Sequence, residues 1–260
     1  MYTEYFGFRE KPFNITPDPQ FFYTNPGYQE AYASLLYGVR ERKGVVLLSG
    51  EAGTGKTTLL YRLKEHFTPP VHCVFLSNPN IAFDELLDYI CSELQLAGDP
   101  HGRLQKIQAL QAFLMQCLQD GGTGVLLIDE AQDLEDQVLE NLRLLSNLET
   151  TSEKLLQIVL SGQPELELKL AQPKWRQLRQ RIAVKHRLLG LQEQEIAAFI
   201  HHRLQTVGYE RQDLFPPQAM QRIAVYSKNI PRLINIICDN ALLITYGLNK
   251  KQFLSILSRK

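Results

Sequence analysis

The sequence predicts an α/β protein, a parallel sheet covered by helices and followed by a small domain of helices alone. Short apolar runs recur at residues 44–49, 72–77, 124–129, 155–161 and 183–189, separated by longer stretches of helical periodicity. Continuous apolar strands alternating with helices are the pattern of a parallel sheet buried on both faces. From about residue 191 the strands stop, and helical stretches follow at 192–208, 216–227 and 231–246, the first with Ile196, Phe199, Ile200 and Leu204 on one face. The chain has 260 residues, 44% of them hydrophobic, enough for one large domain or two small ones with a packed core. The expected division is a linker and first helix over 1–43, an α/β domain over 44–190 and a helical domain over 191–260.

Composition narrows the function classes. Lys plus Arg and Asp plus Glu number 28 each, so the formal net charge is zero, and no global attraction to nucleic acid or membrane is expected. Any basic surface must be local. Cys73, Cys91, Cys117 and Cys238 form no CxxC pair and read as buried reduced thiols, which points to the cytosol. The N-terminus has no apolar signal core, and no stretch approaches the roughly 20 apolar residues a bilayer span needs. The expectation is a cytoplasmic protein without direct membrane insertion, reaching the inner membrane, if at all, through a partner.

The N-terminal stretch "FGFREKPFNITPDPQFFYTN" is rich in aromatics and prolines, which argues against a disordered tail. A helix over 26–42 follows it. The first strand then runs into "GEAGTGKTT", residues 50–58, where Gly50-x-x-x-x-Gly55-Lys56-Thr57 fits a P-loop. Glycines let main-chain N–H groups curl round a polyphosphate, and the following helix offers its positive end. Gly50, Glu51, Ala52, Gly53, Thr54, Gly55, Lys56, Thr57 and Thr58 are the expected cradle. Lys56 reaches the β and γ phosphates, Thr57 binds Mg²⁺ and Thr58 contacts the α-phosphate. The plainer alternative is a flexible turn capping a helix.

A second motif lies downstream. Val125-Leu126-Leu127-Ile128-Asp129-Glu130 is four apolar residues ending in two acids, the Walker B pattern at the C-terminal end of a buried strand. Asp129 is expected to hold Mg²⁺, directly or through water, and Glu130 to orient and polarise the attacking water. A nucleotide-gated switch needs Lys56 and Asp129 but no catalytic carboxylate, so Glu130 favours hydrolysis. Alone, this stretch also reads as a buried strand followed by a polar helix cap.

With these motifs the chain resembles an AAA+ ATPase, which implies a P-loop NTPase (AAA+) parallel-sheet sandwich with a small C-terminal helical lid domain. Five further stretches, "YFGFREKPFNITPDPQFFY", "IDEAQDL", "SGQPEL", "LRQRI" and "NIPRLINIICDNAL", are similar to the ExeA-type ATPases, the general secretion pathway A group. That group is related to the MuB and TniB transposition ATPases, and the likeness covers nearly the whole chain.

The resemblance implies ATP and Mg²⁺ as ligands and assigns further roles. Gln163 matches a sensor of the γ-phosphate or lytic water, with a polar loop residue as the plainer reading. Arg181 matches the arginine finger supplied to a neighbour's ATP, with Arg179 as runner-up, and a solvated basic helix face is the alternative. Arg232, after Pro231 at a helix start, matches the second sensor in the lid. The family's small residue pair before that motif is replaced by Ser227-Lys228-Asn229, and Asn229 tolerates the left-handed conformation such a turn needs. The finger implies a homo-oligomer, a hexameric ring or a filament.

Residues 169–187 contain Lys169, Lys174, Arg176, Arg179, Arg181, Lys185 and Arg187 with no acidic residue, a run able to contact phosphates of double-stranded DNA or to face a neighbour's nucleotide. Trp175 in that run reads as packed, with base stacking as the alternative. By family analogy Phe13 and Ile15 neighbour the adenine, and simple core packing is the other reading. Three functions follow, in order of preference: an ATPase driving assembly or remodelling of an envelope secretion, pilus or polysaccharide-export complex; an ATP-dependent DNA-binding regulator of transposition; and a non-hydrolysing nucleotide-gated scaffold. Relatives of the first kind often continue into a membrane span and a peptidoglycan-binding module, so a chain ending at Lys260 is expected to be either an ATPase core or a short form.

Overall fold

The computed structural model describes residues 2–16, 18–96, 98, 100–211 and 213–250. Residues 251–260, the end of the expected helical domain, lie outside the described residues. In chain order the helices are α1 (Tyr2–Phe6), α2 (Pro26–Arg40), α3 (Lys56–His66), α4 (Phe83–Glu93), α5 (Arg103–Gln119), α6 (Asp136–Leu145), α7 (Pro164–Ala171), α8 (Arg176–Arg181), α9 (Glu193–Thr206), α10 (Pro217–Ser227) and α11 (Pro231–Gly247). The strands are β1 (Val45–Ser49), β2 (Val71–Leu76), β3 (Thr123–Ile128), β4 (Leu156–Gly162) and β5 (Ile182–Arg187).

Two compact units divide the chain. The first comprises residues 27–50 and 59–188. Its sheet has the order β2-β3-β4-β1-β5 with every neighbouring pair parallel. All residues of β1 and β4 are buried, as central strands covered on both faces must be. The expected run at 183–189 differs: β5 begins at Ile182 and alternates in burial, as a strand exposed on one face does. Leu126 of β3 and Ile158 of β4 share one buried cluster with Leu86 of α4, Leu114 of α5 and Leu139 and Leu142 of α6. Trp175 lies in the same cluster, 4% exposed, so in this chain it is a core residue.

Among the described residues, the second unit comprises those up to Pro26, residues 51–58 and those from Leu189 to Lys250. The expected 1–43 segment is therefore shared between units, α2 falling mostly with the sheet. The aromatics of the N-terminal stretch explain this. Tyr2, Phe8, Phe13 and Phe21 are buried in one cluster with Phe199, Ile200, Leu204, Phe215 and Ile234 of the helical region. Phe13 is 1% exposed and meets Phe215 edge-on at 5.9 Å, which is core packing, whereas Ile15 is 53% exposed.

Arg203 of α9 ties the stretch down. It donates from Nε to the carbonyl of Pro12 (2.6 Å) and from Nη2 to that of Asn14 (3.0 Å), and its guanidinium lies 4.5 Å from the Phe21 ring. Burial lowers its pKa to about 10. The cysteines are free thiols. Cys117 and Cys238 are buried and Cys73 and Cys91 half-buried, and desolvation pushes Cys73 up to about 12. Among the described residues no helix is long and apolar enough to cross a membrane.

Candidate nucleotide site

The glycine loop leaves β1 at Gly50, whose N–H donates to the carbonyl of Gly162 at the end of β4 (3.2 Å). Beyond it the loop is closed by main-chain groups. The N–H and the hydroxyl of Thr54 both donate to the carbonyl of Glu51, at 3.3 and 2.9 Å, and Lys56 Nζ donates to the same oxygen at 3.1 Å. Gly53 and Gly55 take φ of +81° and +102°, values a side chain rarely allows. Thr54 and Lys56 are buried, and α3 starts at Lys56, so Thr57 and Thr58 lie in its first turn. This curled loop opening a helix has the form that holds phosphate oxygens on main-chain N–H groups.

Arg232 is brought to this loop. It follows Pro231 at the start of α11, and its N–H donates to the carbonyl of Gly53 (3.3 Å). A Cβ on Gly53 would meet Cβ of Arg232 at 2.6 Å. The turn before it keeps the expected shape without small residues: Lys228 and Asn229 both have positive φ, 49° and 62°. The carbonyl of Asn229 then accepts from the N–H of Leu191 (2.8 Å).

The acidic pair stands at the end of β3. Asp129 is 2% exposed; its N–H donates to the carbonyl of Leu76 (2.9 Å), and its Oδ1 accepts from the Ser161 hydroxyl (2.8 Å). Glu130 occupies the left-handed region, φ 48° and ψ 38°, a conformation that costs a residue with a side chain about 1–2 kcal/mol. Its Oε2 accepts from Gln132 Nε2 at 2.8 Å and from Gln163 Nε2 at 3.4 Å. Gln163 stands just before α7, and its own N–H donates to Gln132 Oε1 at 3.0 Å. Sequence reasoning passed over Ser161 and Gln132, although both stand inside the quoted stretches. An amide two residues after an acidic pair was the available signal.

The arginines lie elsewhere in the sheet unit. Arg181 precedes Ile182, which pairs with Val45, so it sits three strands from β3 and about four residues below Asp129. At ~4.8 Å per strand and ~3.3 Å per residue this is about 14 Å across the sheet and about 13 Å along it, beyond the reach of its side chain to the acidic pair of the same chain. Arg181 is half-buried, and its side chain makes no hydrogen bond or ion pair among the described residues. Arg179 is exposed and donates to the carbonyl of Ala171 (3.1 Å). The basic run is also shorter in space than in sequence, because Asp136 of α6 pairs with Lys174 and lies 3.8 Å from Lys169. Lys174, and less so Lys169, hold the Asp136 carboxyl below the usual carboxylate range.

A glycine-loop strand and an acid-tipped strand in one parallel sheet of order β2-β3-β4-β1-β5 define the class of P-loop nucleotide-binding domains. Residues 39–170 match the AAA domain family, and the chain belongs to it. Over 248 residues it is 44% identical to General secretion pathway protein A of Aeromonas hydrophila, covering 95% of this chain and 45% of that protein. The chain thus spans less than half the length of that relative. Among solved structures it is similar to the Aeropyrum pernix ORC2 protein in its ADPNP-ADP complexes (TM-score 0.63, 17% identity, 96% of this chain and 70% of that one). It is also similar to Cdc6p from Pyrobaculum aerophilum (0.63, 17%, 93% and 67%) and to Aeropyrum pernix ORC1 in complex with DNA (0.65, 15%, 94% and 66%). At these identities the structures speak for the AAA+ fold alone.

Proposed function

We propose that the chain is an ATPase that hydrolyses ATP with Mg²⁺ at the interfaces of an oligomer and drives assembly or remodelling of an envelope secretion complex. The observation that carries the reading is Glu130, a carboxylate at the tip of a buried strand, on strained backbone and gripped by two amides. A binding switch has no need of a carboxylate so held.

In this reading Gly50, Glu51, Ala52, Gly53, Thr54, Gly55 and Thr58 line the phosphates with main-chain and hydroxyl groups, and Lys56 leaves the Glu51 carbonyl for the β and γ oxygens. Asp129, a buried hard-oxygen donor oriented by Ser161, would hold Mg²⁺, and the Thr57 hydroxyl is expected to be a further ligand. The ion would offset charge on the transferring phosphoryl. Glu130 turns a water toward the γ-phosphate and takes up its proton, Gln163 senses the same centre, and Arg232 couples the glycine loop to the start of α11. Arg181, unpaired and out of reach of its own chain's acidic pair, acts on the ATP of a neighbouring copy; Arg179 is the second candidate. The secretion role rests on the name of the Aeromonas hydrophila relative.

A DNA-bound regulator is the alternative, supported by exposed Arg176, Arg179, Lys185 and Arg187 and weakened by the pairing of Asp136 with Lys174. A scaffold without turnover comes third. The test is the steady-state ATPase rate against protein concentration, with and without double-stranded DNA, at two salt concentrations. The oligomeric ATPase predicts a specific rate that climbs with protein concentration and ignores DNA. Stimulation by DNA that fades as salt rises would move the chain to the DNA-bound reading, and a rate independent of concentration would contradict a shared site.

A further inference from the structure

We propose that Gln132 is a positioning residue that fixes the Glu130 carboxylate against the end of β4, leaving Gln163 free to exchange between Glu130 and the reacting centre. The inference rests on the ATPase reading above. Gln132 Nε2 donates to Glu130 Oε2 at 2.8 Å and to Asp133 Oδ2 at 3.1 Å, while its Oε1 accepts from the main-chain N–H of Gln163 at 3.0 Å. A side-chain amide is planar, with donors and acceptor at fixed angles. One rigid group therefore spans from Glu130, two residues beyond β3, to the residue before α7.

The second donor to Glu130 differs in kind. Gln163 Nε2 stands at 3.4 Å, a weak bond at the limit of hydrogen-bond length. Its side chain can leave without disturbing the Gln132 link, because that link uses the Gln163 main chain. Both donors converge on Oε2, and Oε1 of Glu130 accepts no hydrogen bond among the described residues, so it is the oxygen available to a water. Gly162 makes room for the arrangement, since a Cβ there would meet Gln132 Oε1 at 2.8 Å. A glutamate side chain without this link samples several rotamers, and few of them aim a carboxylate oxygen at one attacking water.

The test uses the full chain with Gln132→Ala, and with Gln132→Glu, which keeps an acceptor for Gln163 N–H but sets a carboxylate against Glu130. Both are expected to lower kcat about 10- to 100-fold while the Kd for a fluorescent ATP analogue stays within about twofold. In a Glu130→Gln background, single-turnover hydrolysis should show no further loss from Gln132→Ala, because Gln132 acts only through Glu130. An unchanged kcat, an equal loss in both backgrounds, or a rise in Kd with a fall in melting temperature that accounts for the lost rate would overturn the proposal. Wild-type chain whose hydrolysis does not depend on Lys56 would instead overturn the ATPase reading itself.

Discussion

The glycine loop and the acidic strand end are held by different means. In the loop the main chain does the work: the Glu51 carbonyl gathers the N–H and hydroxyl of Thr54 and the ammonium of Lys56, and Gly53 and Gly55 supply positive φ. At the end of β3 side chains do it: Ser161 holds Asp129, while Gln132 and Gln163 hold Glu130. A loop held by its backbone places demands on glycine at fixed spacing, and these are visible in a linear sequence. A carboxylate held by amides draws on residues up to 33 positions away, and no spacing rule announces them.

The sharpest way to break the first arrangement is Gly53→Ala. The new Cβ would sit at φ +81° and 2.6 Å from Cβ of Arg232, so the loop and Arg232 must shift. The expected cost is about 1–3 kcal/mol of stability with a clear loss of ATP affinity, read by thermal melting and by titration with a fluorescent nucleotide. Unchanged affinity would show that the loop tolerates a side chain and that the contact with Arg232 is incidental. A smaller effect of opposite sign is expected at the turn before Arg232, where Lys228 takes φ 49°. Lys228→Gly removes up to about 1 kcal/mol of backbone strain, offset in part by the greater freedom of glycine in the unfolded chain. A melting temperature raised by a few degrees, or left level, agrees with this; a marked fall would mean that the lysine side chain contributes more than its backbone costs.

Much of the fold was legible because buried parallel strands are continuous apolar runs. Four of the five lie within one residue of expectation, and the exception, β5, is an edge strand whose one-sided burial breaks the run. The three C-terminal helices were equally plain, the first from its apolar face and the other two from Pro216 and Pro231 where they begin. The partner of the N-terminal stretch was not legible. Its aromatics announced packing, but the anchor is Arg203, a charged residue that sequence reading would set on a helix surface and that instead caps the Pro12 and Asn14 carbonyls. The partner of Lys174 in the basic run was not legible either, since Asp136 lies 38 residues earlier in sequence.

The central claim is that the glycine loop holds the nucleotide and Glu130 turns it over. The most direct test is to measure ATP binding and hydrolysis together for Lys56→Ala and Glu130→Gln. The account predicts that Lys56→Ala loses binding, and turnover with it, while Glu130→Gln binds ATP as the wild type does and loses hydrolysis by about 100-fold or more. Undiminished hydrolysis by Glu130→Gln would contradict it.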